Sequence, residues 1–329
     1  MPITSRMRVL FRVAAGPRIG FGHLVRCRSL ARALGVTPVV AIRGSATTRI
    51  RAARLGWRVA SARPAAPTLA ARRPAVLVID DPRAAASSSW VRAATRRGIP
   101  VVSVHDLGLA PVPSQISIDG SVGPTAACGT VARLRGPRFA VLDPAIAARR
   151  RQRPRRRRPA SPTVLVALGG GSQAWRVMTP LVRALAAANP LLDIRVAAGF
   201  TAPPHRRLPA GRLIATPAGL AEELDRAGVA IVAGGVTAYE ACALGVPAVA
   251  AAVVPAQRRT VAALARAGAV VEGGRCRTAG DARRLASAAL RLLDDDVRCR
   301  HLSVRGRRLV DGLGAWRVAA AVRRMAHAA

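Results

Sequence analysis

His23 stands directly after Gly20-Phe21-Gly22 and is followed three residues later by Arg26. The apolar run 9–15 ahead of this loop reads as a buried strand, and Leu24, Cys27, Leu30, Ala31 and Leu34 behind it recur at helical spacing. Strand, glycine loop and helix in that order form the ligand-facing turn of an open parallel α/β sheet, where glycines let a substrate approach the backbone. His23 then occupies the first turn of the helix, where the positive end of the helix dipole favours a neutral imidazole able to act as a base. The same residues also read as a packed or surface histidine beside a tight turn. A dinucleotide site is excluded. It needs a third small residue where the chain has Val25 and an acid about twenty positions on, whereas the first acidic residue is Asp80.

A second stretch with chemical content is Ala233-Gly234-Gly235-Val236-Thr237-Ala238-Tyr239-Glu240, which follows the apolar run 229–232. Gly234, Gly235 and Thr237 mark a helix start with Glu240 one turn inside. Exposed amides at such a start suit a diphosphate, and the carboxylate can accept from two ribose hydroxyls. A surface glutamate that complements the helix dipole is the other reading. Gly169-Gly170-Gly171-Ser172, after the run 163–168, repeats the glycine-turn logic for a phosphate.

The elements that position these residues alternate. Strands over 38–42, 75–79 and 101–104 interleave with helices over 47–55 and 90–97, which predicts a parallel, doubly wound sheet. Asp80, Asp81, His105 and Asp106 fall at strand carboxyl ends on the same edge as the His23 loop, where they can line a cleft or serve as caps and turn residues. Residues 149–158 are dominated by arginine, with Pro154 and Pro159 close by, and read as a solvated linker over 149–160. Beyond it, strands over 163–168, 194–198, 213–215, 229–232 and 247–254 alternate with helices over 177–188 and 220–225. Helices over 281–293, 296–310 and 314–327 close the chain. The expected organisation is a first α/β domain over 1–148, a second over 161–310, and a final helix within 311–329 that packs back on the first.

A chain of 329 residues accommodates two such domains. Hydrophobic residues make up 51% and aromatics only 3%, so the cores are built from Ala, Val and Leu. No apolar run reaches the length of a membrane span, the start lacks a signal-peptide pattern, and the cysteines at 27, 128, 242, 276 and 299 show no paired spacing. A cytoplasmic protein with neither disulfides nor a zinc site is expected. The 53 basic residues against 16 acidic ones give a formal charge of +37, yet every basic residue is Arg, they are scattered, and aromatic residues that would stack on bases are scarce. This pattern predicts non-specific attraction to polyanions and no specific nucleic-acid partner.

Taken together, Phe11-Arg12, Ile19-Gly20-Phe21-Gly22-His23 with Arg26, Gly169-Gly170, Gly234 through Glu240, Gly245-Val246-Pro247, Gln257 and Asp311-Gly312-Leu313-Gly314-Ala315 resemble the PseG/SpsG-type UDP-sugar hydrolases. These are relatives of the MurG-like glycosyltransferases of the GT-B fold, and the resemblance runs in order over nearly the whole chain. It implies two Rossmann-like parallel-sheet domains facing across a cleft, with UDP held by the second. Glu240 would contact the ribose, the amides after Gly234 the diphosphate, and Gln257 would lie near the sugar. Arg12, Gly20, Gly22, Gly169, Gly170, Gly235 and Thr237 complete the implied binding set. His23 would activate water against the anomeric carbon, with no metal or other cofactor. The pattern departs from the family at Ala14, where an acid is usual, at Ser172 and Trp175, where Asp and Asn are usual, and at Asp81-Pro82, where an aromatic is usual. These positions surround the sugar, a UDP-linked diacetamido-trideoxyhexose of nonulosonic (pseudaminic) acid biosynthesis in the family. A GT-B glycosyltransferase and a non-catalytic sugar-nucleotide binding protein are the alternatives.

Overall fold

The protein is represented by a computed structural model, which describes residues 7–60, 64–106, 112–123, 130–152, 162–169, 172–199, 208–216 and 219–328. The chain divides into two compact units. One comprises Met1–Gly16, His23–Pro144 and Leu313–Ala329, and the other Pro17–Gly22 and Ala145–Gly312.

In the first unit, β1 (Val9–Ala14), β2 (Val39–Arg43), β3 (Arg58–Val59), β4 (Val76–Asp80), β5 (Val101–Val104), β6 (Ser114–Asp119) and β7 (Thr130–Arg135) form one sheet in the order β3-β2-β1-β4-β5-β6-β7. Every pairing is parallel. Parallel strands need crossovers, and α1 (Gly22–Leu34), α2 (Ala46–Arg54), α3 (Ala65–Arg72) and α4 (Ser88–Thr95) supply those that lead from β1 to β5. β1 and β4 are buried along their whole length, as central strands covered on both faces must be. Their register pairs Arg12 with Ile79 and Val13 with Asp80. Because side chains alternate across a strand, Arg12 and Ile79 share one face while Val13 and Asp80 share the other. The Arg12 face packs Leu10, Leu77 and Ile79 against Trp90 and Val91 of α4.

In the second unit, β8 (Thr163–Ala167), β9 (Asp193–Ala197), β10 (Arg212–Ile214), β11 (Val229–Ala233), β12 (Ala248–Ala252) and β13 (Val271–Arg275) form a parallel sheet in the order β10-β9-β8-β11-β12-β13. Before it, α5 (Pro144–Gln152) leads in; α6 (Trp175–Ala188), α7 (Ala221–Arg226), α8 (Val236–Leu244), α9 (Gln257–Arg266), α10 (Ala279–Asp294) and α11 (Asp296–Leu309) follow. Val177, Leu181 and Leu185 of α6 meet Leu285 and Ala289 of α10 over Val164, Val166 and Ile231 of the sheet. The last helix, α12 (Gly314–Ala328), lies in the first unit, where Arg323 donates to the Ala33 carbonyl at 2.9 Å and Arg317 to the Arg138 carbonyl at 2.8 Å.

The two parallel sheets follow the predicted alternation. The arginine-rich segment differs from its expected form, because residues 149–152 belong to α5. Arg150 donates to the carbonyls of Ala243 (2.8 Å), Arg307 (2.9 Å) and Val310 (3.1 Å), and Arg149 pairs with Asp225 at 3.8 Å. Carbonyls at the ends of α8 and α11 lack intrahelical partners and carry the negative end of the dipole, so they offer acceptors to the guanidinium, whose charge burial and the nearby Arg307 oppose. The rest of the proposed linker, 153–161, lies outside the described residues.

Candidate active site

The loop between β1 and α1 turns at Gly20, whose φ of +92° is in the region that glycine alone enters easily. α1 then begins at Gly22 and carries His23 in its first turn, with the side chain 21% exposed. Its Nδ1 lies 2.8 Å from Oδ1 of Asp80, the last residue of the neighbouring β4. One helical turn on, Arg26 grips the same carboxylate in a fork, Nε to Oδ2 at 2.9 Å and Nη2 to Oδ1 at 2.8 Å, while its Nη1 donates to Asp106. The Cys27 thiol faces Oδ2 at 3.6 Å.

Burial alone would raise the Asp80 carboxyl, but Arg26 and His23 outweigh it and hold Asp80 far below the usual carboxylate range. Burial likewise opposes the charge on Arg26, and Asp106 with Asp80 reverses this, so the guanidinium is held firmly charged. Burial and the adjacent Asp80 push the Cys27 thiol well up, which makes it an inert packing group. The cluster presents a partly exposed imidazole on a buried, ionised carboxylate, an arrangement suited to moving a proton.

Arg12 is not brought to this cluster. It lies on the other face of the sheet, its guanidinium 5.4 Å from the Trp90 ring centroid and 3.9 Å from Asp81, and its buried Nε has no hydrogen-bond partner among the described residues. Burial lowers the Arg12 pKa; Asp81 works against this and Arg43 adds to it. Arg43 takes both oxygens of Asp81, at 2.7 and 2.6 Å. His105 is also turned away, its buried Nε2 2.8 Å from the Ser117 hydroxyl. Of the four strand-end residues expected on this edge, Asp80 meets His23 directly and Asp106 is joined to the cluster through Arg26, whereas Asp81 and His105 are not. The central role of Arg26 was hidden by its commonness in an arginine-rich chain. Its signal was the i, i+3 spacing from His23, which puts both on one helix face.

In the second unit, Gly169 follows β8 with φ +90° and is exposed, and Gly170 lies outside the described residues. Trp175, one of the departures from the family pattern, begins α6 and is buried. Gly234 opens the turn after β11 at a close approach: a Cβ there would collide with Val261 Cγ2 and lie 3.1 Å from the Gln257 carbonyl oxygen. Gly235 is the N-cap of α8, which has neither a side-chain cap nor an acidic residue in its first turn. Thr237 is half-buried in that first turn, and Glu240 is buried one turn further on. Gln257 opens α9 and accepts from the Val253 and Val254 amides at 2.9 and 3.4 Å through Oε1. Its Nε2 lies beside Gly235, 3.6 Å from where a Cβ would stand. Gly234, Gly235 and Gln257 are thus one constellation, although they come from different βα turns.

No known protein-family profile matches the chain, and no curated protein does. Solved structures do. The spinosyn forosaminyltransferase SpnP aligns over 98% of this chain and all of its own with a TM-score of 0.64 at 18% identity. MurG of Acinetobacter baumannii aligns over 97% of this chain and all of its own with a TM-score of 0.62 at 16% identity. UDP-GlcNAc 2-epimerase of Neisseria meningitidis, in complex with UDP-GlcNAc, aligns over the same shares with a TM-score of 0.58 at 12% identity. This is the GT-B fold.

Likeness at such low identity establishes the GT-B architecture, and the chemistry must be argued from the residues. Among the described residues no group of His, Cys, Asp and Glu side chains is arranged to hold a metal ion, and no helix is long and apolar enough to cross a membrane. Cys27, Cys242 and Cys276 are buried free thiols, and burial pushes the latter two up to about 12.

Proposed function

We propose that this GT-B protein is a UDP-sugar hydrolase. The observation that carries the reading is the start of α8, where glycines open the helix, the N-cap Gly235 has no side chain to cap the amides, and the buried carboxylate of Glu240 follows one turn inside. The first amides of a helix have no intrahelical acceptor, and together with the dipole they favour a phosphate. UDP placed there sets its diphosphate on the amides after Gly234 and Gly235, its ribose hydroxyls on Glu240, and its sugar beside Gln257. His23 takes a proton from water as the water oxygen bonds to the anomeric carbon. The bond from that carbon to the diphosphate oxygen breaks, and UDP leaves with the electron pair.

Support for the hydrolase comes from the His23 loop and its ordered companions, which resemble the PseG/SpsG-type enzymes. The sugar is proposed to be an amino-deoxy hexose, with Ala14, Pro82, Ser172 and Trp175 adjusting the pocket away from the family's usual substrate. A glycosyltransferase is the second reading, favoured by MurG and the spinosyn transferases among the structural neighbours. In it the same base would deprotonate an acceptor hydroxyl. Release of UDP from a panel of UDP-sugars, with and without added acceptor alcohols, tests both. Release in water alone supports the hydrolase, dependence on acceptor supports the transferase, and tight UDP-sugar binding without release overturns both.

A further inference from the structure

Two arginines of the first unit hold a carboxylate by the same edge of the guanidinium, Nε with Nη2. Arg26 grips Asp80 in this way at 2.9 and 2.8 Å, and Arg43 grips Asp81 at 2.7 and 2.6 Å. The corresponding edge of Arg12 makes no such contact. Its Nε is buried without a hydrogen-bond partner among the described residues, and its Nη2 stands 3.9 Å from Asp81 Oδ2, too far for a hydrogen bond. On the other edge, Nη1 makes only a long bond of 3.4 Å to the Val13 carbonyl. The Trp90 ring keeps the guanidinium in place but satisfies none of its N–H groups. Burying donors of a charged group in this state costs stability.

Arg12, Arg43 and Asp81 together carry one positive charge in excess. The Asp81 side chain is 0% exposed, that of Arg12 8% and that of Arg43 25%, so Arg43 is the member that a ligand meets. Arg43 ends β2, on the edge of the sheet where ligands of open α/β folds bind. Taking it off Asp81 would strand a buried carboxylate unless another cation replaced it. Arg12 is placed to do so. We propose that Arg43 is the receptor for a ligand carboxylate in the first unit, and that Arg12 takes over Asp81 when Arg43 turns to the ligand. Closing the gap from Arg12 to the usual charged-pair length of about 2.8 Å gives the buried Nε an acceptor, while the Arg83 amide, now 3.0 Å from Oδ1, steadies the carboxylate. A single excess charge matches a monoanion better than a phosphate dianion. The inference holds for whichever reaction the protein performs.

Acetate is the probe, added to the full-length protein at constant ionic strength against chloride, so that the general attraction of the basic surface for anions stays fixed. Nitrogen–proton correlation of the arginine Nε–Hε groups reads both residues, with Arg12 assigned by its proximity to the Trp90 ring and Arg43 by Arg43→Lys. Saturable shifts of both signals with one dissociation constant are expected, since Arg12 gains Asp81 as Arg43 leaves it. A shift of Arg43 alone, shifts that never saturate, or no shift at either would mean an adventitious ion only and would overturn the proposal. Arg12→Lys keeps the charge but has no fork, so the affinity of Arg43 for acetate should fall at least about tenfold. Unchanged affinity would show that Arg12 is no partner in the exchange. If that variant fails to fold, the two wild-type signals still decide. Inorganic phosphate in the same titration separates the anion classes: weaker binding than acetate supports a carboxylate receptor, and tighter binding overturns it.

Discussion

Replacing His23 by Asn removes a proton acceptor but keeps a side-chain donor that can reach the Asp80 carboxylate, so the buried pair of Asp80 and Arg26 retains its surroundings. General-base catalysis contributes roughly 10²–10⁴-fold, and His23→Asn should slow UDP release by about that factor. Binding of UDP, assigned to the α8 turn, should hardly change, which places the loss in kcat. Turnover close to wild type would remove His23 from the chemistry. Glu240 gives the complementary result. A buried carboxylate that accepts ribose hydroxyls is a charged hydrogen-bond partner, and Glu240→Ala should weaken UDP by roughly 1.5–3 kcal/mol in a calorimetric titration. Unchanged affinity would exclude it from the site. These two positions stand out in the sequence because a histidine after a glycine loop and a glutamate inside a glycine-started helix suit this chemistry, and the same patterns also fit a turn histidine and a glutamate that complements the helix dipole. Asp80 was visible only as one of several strand-end acids. Its partnership with His23 depends on β4 pairing with β1 across 57 residues of sequence, which no local pattern encodes. Arg12, expected in the binding set, is sent by strand alternation to the face opposite Asp80.

The strands that emerge most plainly from sequence, β1, β4, β8, β11 and β12, are buried along their whole length and rich in Val, Leu, Ile and Ala. Those that do not emerge, β3, β6, β7 and β13, each lack that signature, and β3 is only two residues long. β6 reads Ser-Gln-Ile-Ser-Ile-Asp, and its serines are buried because they bond within the sheet: Ser114 to Ser103 at 2.7 Å and Ser117 to His105 at 2.8 Å. β7 lies at the sheet edge and carries two arginines, and β13 contains two consecutive glycines. The start of α10 falls two residues ahead of its expected place, and its cause was present in the sequence as Thr278-Ala279-Gly280-Asp281. The Thr278 hydroxyl accepts from the Asp281 amide at 3.1 Å, and the Asp281 carboxylate accepts from the amides of Thr278 and Arg277 at 3.0 and 2.9 Å. Burial is the largest single influence and works against this charge, but the Arg277 amide, the Arg284 guanidinium and Thr278 together prevail and draw the Asp281 carboxyl down to about 2. Because the folded value lies below the unfolded one, near 3.9, the stabilisation is complete above that pH and is lost as pH falls toward about 2. Thr278→Ala should cost about 1 kcal/mol in urea unfolding. The stability gap between wild type and Asp281→Asn should be open at pH 6 and close as pH approaches 2, and a gap independent of pH would show that the carboxylate charge plays no part in the cap.

At the scale of the whole molecule, a formal charge of +37 sits on a GT-B scaffold whose acids are in part already committed to arginines. Asp80, Asp81, Asp106 and Asp143 of the first unit all form ion pairs, so they do little to offset the field of the exposed arginines. Such a surface attracts polyanions by releasing their counterions, with an affinity that falls steeply with salt and carries no sequence information. Composition made this attraction legible and also pointed to its lack of specificity, since all the basic residues are Arg and few aromatics accompany them. The run Arg155 to Arg158 is the densest part of that charge and is proposed to take no part in turnover. Replacing these four residues by Ser should make the slope of log affinity for duplex DNA against log salt shallower by at most about 3.6, since each neutralised phosphate contributes roughly 0.9. Turnover of a UDP-sugar at physiological salt should stay near the wild-type value. A large fall in turnover, with the thermal unfolding transition unmoved, would mean that these arginines contact the nucleotide or its leaving phosphate and would add them to the catalytic machinery.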